Sequence, residues 1–173
     1  MQQLLVAWQT AMGHWPIAAD VRDVVWVKAL LESVHIMAMG FVLFAVGVIT
    51  LRFAGVAGQL ESMAQTVHRF TPMIWAALAV VLITGFILLT GAGFGRGLTT
   101  PMFQLKLVTM VAAIVVTAAL QLTAKDGGRS FWEMSPSRRA AVRVIAPLCL
   151  LLWLFTVCAG RWLAYGYVLF PNG

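Results

Sequence analysis

Four stretches of the chain, about 29–51, 72–90, 101–122 and 142–163, are apolar and hold few or no charged side chains. Each is close to the ~20 residues that an α-helix needs to cross ~30 Å of hydrocarbon. In lipid every backbone polar group must be paired within the structure, which leaves helices and closed barrels. The period-two alternation of a barrel is absent from these stretches. The sequence therefore predicts an all-α protein: an integral membrane four-helix bundle. Composition agrees, because 61% of the 173 residues are apolar, 10% are charged and the mean hydropathy is +0.91. A soluble domain carries about a quarter charged residues, so an ordinary soluble enzyme is excluded. The length corresponds to one membrane domain spanning 1–173.

Twelve Lys and Arg stand against six Asp and Glu. In a soluble chain that excess would suggest nucleic acid as a partner. Here the basic residues gather at the ends of apolar segments, and membrane orientation explains them instead. Arg22, Lys28, Arg96 and Arg161 fall on the side of both termini, whereas Arg52, Arg69, Lys125, Arg129, Arg138, Arg139 and Arg143 fall on the other. Positive charge is retained on the cytoplasmic side, so both termini are expected in the periplasm, with the chain in a bacterial inner membrane. Cys149 and Cys158 both lie in the last stretch and make neither a disulfide framework nor a zinc site.

Helix starts are suggested by Thr71-Pro72, Thr100-Pro101 and Ser135-Pro136, each a capping hydroxyl before a proline at the first helical position. Leu4, Trp8, Met12 and Trp15 recur at helical spacing, which predicts an amphipathic helix over 2–15 lying in the membrane interface. No basic residue precedes Arg22 and no small-residue cleavage site follows an apolar core, so this start is not read as a signal peptide.

An ionisable group inside a span costs about 2.5–3.5 kcal/mol on insertion scales, so each should face the bundle interior, a partner or a ligand. Lys28, Glu32, His35 and Met39 fall on one helical stripe of the first span. At ~1.5 Å per residue, His35 lies about 9 Å below residue 29 and Lys106 about 8 Å below residue 101, at similar depth. His68 belongs to the opposite interface, too far from His35 to share a haem with it.

Three readings of His35 follow. In the first it is structural, bonded to Glu32 or to a carbonyl across the bundle. In the second it ligates b-type haem, with Lys106 or His14 as the second donor and Arg22 and Arg161 for the propionates. Lys106 would then act as the neutral amine, which requires desolvation. The third is copper handling, drawn from Met12-x-His14 and Met37-x-Met39, since thioethers suit Cu(I). Gly91, Gly93, Gly95 and Gly97 around Arg96 follow no strand and read as a turn rather than a phosphate loop. No Ser/His/Asp or Cys/His catalytic arrangement is legible.

Glu32-Ser33-Val34-His35-Ile36, Arg69-Phe70-Thr71 leading into Val81-Leu82-Ile83-Thr84-Gly85, and Phe103-Gln104-Leu105-Lys106-Leu107 resemble a broad group of bacterial membrane proteins. The group includes the copper-resistance protein D domain, the HemJ-type protoporphyrinogen oxidases and a family of uncharacterised four-helix proteins that begin with an interfacial helix. The last resembles nearly the whole chain. The HemJ-type relatives imply b-type haem held by a histidine on the first span and a lysine opening the third, matching His35 and Lys106. The longer start and Glu32 depart from the oxidases, which sets protoporphyrinogen oxidation apart from the expectation. What is expected is an electron-transfer protein or subunit of a membrane oxidoreductase. Its partners would be the lipid bilayer, a periplasmic or membrane redox protein or a quinone, in a homo- or hetero-oligomer. The alternative is a copper-handling or structural accessory protein without haem.

Overall fold

The computed structural model describes residues 7, 11, 15–56, 62–91, 101–123 and 135–164. They form a short helix α1 (Pro16–Asp23) and four long ones, α2 (Val25–Phe53), α3 (Met63–Gly91), α4 (Pro101–Leu122) and α5 (Pro136–Ala164). The four long helices have the length and hydropathy to cross a membrane, and the fold is an all-α four-helix membrane bundle. A 29-residue helix such as α2, α3 or α5 rises about 43 Å, so its ends reach past the hydrocarbon into the headgroups. The amphipathic helix expected over 2–15 lies almost wholly outside the described residues.

The helix ends show which local signals act. Ser62 and Gln65 make a reciprocal capping box: the Ser62 N–H donates to Gln65 Oε1 at 2.8 Å and the Gln65 N–H to Ser62 Oγ at 3.2 Å. Thus α3 begins at Met63, and Thr71-Pro72 is not a start: Pro72 lies inside the helix. Thr71 spends its hydroxyl on the Val67 carbonyl at 2.8 Å, one of the local adjustments that carry a membrane helix through a proline. By contrast, Pro101 and Pro136 do open α4 and α5, and Ser135 Oγ accepts from the Arg138 N–H at 3.3 Å. Helix α2 ends in a Schellman motif. Gly55, at φ +78°, supplies the left-handed residue, the Gly55 N–H reaches the Arg52 carbonyl, and the Val56 N–H reaches that of Leu51.

Helices α2 and α3 form one hairpin and α4 and α5 a second; α2 and α5 join the two, while α3 meets α4 only sparsely. The core between them holds Val42 and Val46 of α2, Ile74 and Leu78 of α3, Ala113 of α4, and Ala146 and Trp153 of α5. Cross-helix hydrogen bonds supplement this packing, as is usual where lipid offers no hydrophobic drive to associate. Thr50 Oγ1 donates to the Ala146 carbonyl at 3.1 Å, Trp75 Nε1 to Gln121 Oε1 at 2.7 Å, and the fully buried Trp153 Nε1 to Thr117 Oγ1 at 3.0 Å. Large apolar side chains such as Phe41, Phe44, Val108 and Val111 are exposed and face the bilayer.

Helix α1 docks on α3 and α2 through the buried Ala18 and Val21, with Trp15 edge-on to Phe86 at 6.3 Å. The docking depends on Gly91, where any Cβ would overlap the Val21 side chain. Gly91→Val is therefore expected to push α1 away at an overpacking cost of about 1–3 kcal/mol. The measurement is hydrogen exchange, which should quicken across 16–23 and leave the four long helices unchanged.

Candidate functional site

Near the end of the bundle that carries α1, one layer of side chains contains His35 and Lys106. His35 is half-buried on α2, and its Nδ1 lies 2.8 Å from Thr84 Oγ1 on α3. Thr84 donates its only hydroxyl hydrogen to the Val80 carbonyl at 2.6 Å, so the hydrogen of the His35–Thr84 bond comes from the imidazole. On that assignment the ring is the Nδ1–H tautomer, with the lone pair on Nε2. A histidine that ligates a metal through Nε2 is commonly held in this way by a second hydrogen bond.

The helix register brings Lys106 to that layer. Thr50 meets Ala146 across α2 and α5; moving back from Thr50 to His35 along α2 advances by as many residues along antiparallel α5, to Gly160 and Arg161. Thr109 and Thr156, 3.3 Å apart across α4 and α5, set Lys106 beside Gly160 in the same way. Among the described residues no carboxylate pairs with Lys106.

Both side chains are seated against glycine. A Cβ on Gly85 would stand 3.2 Å from His35 Cε1, and a Cβ on Gly160 would stand 3.3 Å from Lys106 Nζ. Each contact is tight, but the lysine has a flexible stem while the imidazole is tied to Thr84. The absence of a side chain at Gly85 therefore matters more. Sequence reasoning treated Thr84 and Gly85 as part of a resemblance and overlooked Gly160. Their signal is a small residue in each partner helix at the level of the ionisable one.

The remaining candidates are dispersed. Glu32 is exposed and pairs with Lys28 at 3.9 Å, so it is not the hydrogen-bond partner of His35; Thr84 is. Arg161 is exposed beside Gly160 at the end of α5, on the level of His35. Arg22 lies on α1 and its side chain is outside the described residues, as is the whole of His14. His68 is exposed on α3, near the end of that helix remote from Thr84. Met37 is 64% exposed and Met39 is buried, so this pair does not converge, and among the described residues no three His, Cys, Asp or Glu side chains gather for a metal.

Protein-family models, curated proteins and solved structures were compared with the chain. None matches. The functional reading therefore rests on the His35–Lys106 layer and on the chemistry of its donors.

Proposed function

We propose that the protein binds b-type haem in the His35–Lys106 layer and takes part in one-electron transfer in the bacterial inner membrane. The observation that carries this reading is the His35–Thr84 bond, which leaves Nε2 as a nitrogen donor at the level of a lysine that meets no carboxylate among the described residues. The donor set suits the group: His35 and Lys106 would hold it through their nitrogens, and Arg161, with Arg22, would meet its propionates. When bound, haem supplies reversible one-electron chemistry. The chain's own part is to orient the imidazole through Thr84 and to seat the imidazole and the lysine against Gly85 and Gly160.

The distribution of basic residues favours both termini in the periplasm, which would set the layer toward the periplasmic face. A periplasmic or membrane redox protein, or a quinone, would dock there, in keeping with an electron-transfer subunit of a larger complex. The resemblance to HemJ-type proteins supports the same pair of ligands. A structural role is the second reading, favoured by the bond that already satisfies one His35 nitrogen within the hairpin.

Purification from membranes of haem-replete cells separates the two. A Soret band at one haem per chain is expected; a colourless protein, with or without copper, supports the accessory reading. Thr84→Val tests the positioning of His35. The isosteric change removes the acceptor at Nδ1, and loss of such a partner costs roughly 10–100-fold in metal affinity. Weaker haem retention and a shifted midpoint potential are expected, whereas Thr84→Ser should restore both.

A further inference from the structure

A second polar site lies toward the other end of the bundle, on α4 about 22 Å along the helix from Lys106. Gln121 is 9% exposed, and its Oε1 accepts from Trp75 Nε1 at 2.7 Å. Because an indole nitrogen only donates, that bond fixes the orientation of the amide. Gln121 Nε2 is left buried with no hydrogen-bond partner among the described residues, and an unpaired buried amide donor is costly. Gln121 lines a small cavity together with Thr50, Thr117, Ala146 and Cys149 among apolar neighbours. The cavity measures about 10 Å³ to the centre of a water-sized sphere, which is room for one water.

The polar groups around it differ in what they have left to offer. Thr117 is fully used: it donates to the Ala113 carbonyl and meets Trp153 Nε1 and Cys149 Sγ. Thr50 gives its hydrogen to the Ala146 carbonyl and keeps lone pairs free to accept. One donor without a partner, one free acceptor and the volume of one molecule define the occupant. We infer that a single water is bound here, accepting from Gln121 Nε2 and donating to Thr50 Oγ1. These two bonds are within the usual range for buried water. Through it α2 and α4 are linked across the two hairpins, while Trp75 ties α3 to the same amide and the Ala146 carbonyl ties in α5. A hydrated node of this kind holds together the region where all four long helices meet.

Water-edited solid-state NMR of the full chain, labelled with ¹⁵N and reconstituted in bilayers, tests the site. Magnetisation from water should reach Gln121 Nε2 several-fold faster than the backbone amides of Val42 and Ala113, which are both 0% exposed and lie outside the cavity lining. In Thr50→Val, which removes the acceptor and keeps the volume, the transfer should fall to the level of those amides. A wild-type Nε2 no faster than Val42 and Ala113 overturns the inference without any variant. Fast transfer that survives Thr50→Val also overturns it, because water would then be reaching the amide from bulk rather than being held between Gln121 and Thr50.

Discussion

His35→Ala is expected to abolish haem binding while leaving a folded four-helix protein in the membrane. The fold should survive because the substitution removes one half-buried ring and one interhelical hydrogen bond, and such bonds in a bilayer average about 0.6 kcal/mol. The core residues between the hairpins, among them Val42, Ile74 and Trp153, are untouched. Haem content should fall to background because the imidazole Nε2 is the donor that the Thr84 bond keeps available. Pyridine haemochrome content per chain, measured beside far-ultraviolet circular dichroism, checks both halves of the expectation. His68→Ala should retain the spectrum, since His68 is exposed near the far end of α3. Full haem content in His35→Ala would eliminate the assignment, and loss of haem in His68→Ala would displace the site to the opposite face.

The four spans were legible because hydrocarbon imposes a length and forbids unpaired backbone, and neither constraint depends on side-chain detail. The common level of His35 and Lys106 was legible for a related reason: helix rise is constant, so depth can be counted from a span's end. What distinguishes one helix start from another was not. Thr71-Pro72 has the form of a start, yet a proline within a bilayer helix is accommodated, and the Ser62–Gln65 capping box decides where α3 begins. Nor does a stripe of residues reveal where a helix leaves its bundle. Lys28 and Glu32 share a stripe with His35 and Met39, but they lie on the part of α2 that is exposed beyond the neighbouring helices. Depth, rather than angle around the helix, separates the Lys28–Glu32 pair from the His35 layer. The roles of Thr84, Gly85 and Gly160 depend on which helices become neighbours, and in a single sequence nothing specifies that α5 packs between α2 and α4.

Lys106→Met is expected to raise the midpoint potential of the haem and to change its spectrum, because a thioether replaces an amine as ligand at the same depth. Met ligation is associated with higher potentials than nitrogen ligation. A rise on the order of 100 mV is expected, a modest share of the roughly 0.8 V that axial ligands span. The substitution suits the site sterically. Lys106 lies against Gly160, whose missing Cβ leaves room within 3.3 Å of Nζ, and a methionine stem of similar length follows the same path. It also removes a polar amine that meets no carboxylate among the described residues, so the bundle should be at least as stable in the variant. A redox titration followed in the α band provides the measurement, with Lys106→Leu as the variant that offers no ligand and should become high-spin. If the potential and spin state of both variants match the parent while His14→Ala shifts them, the chain before α1 supplies the second ligand. Lys106 would then be a neighbour of the haem rather than one of its ligands.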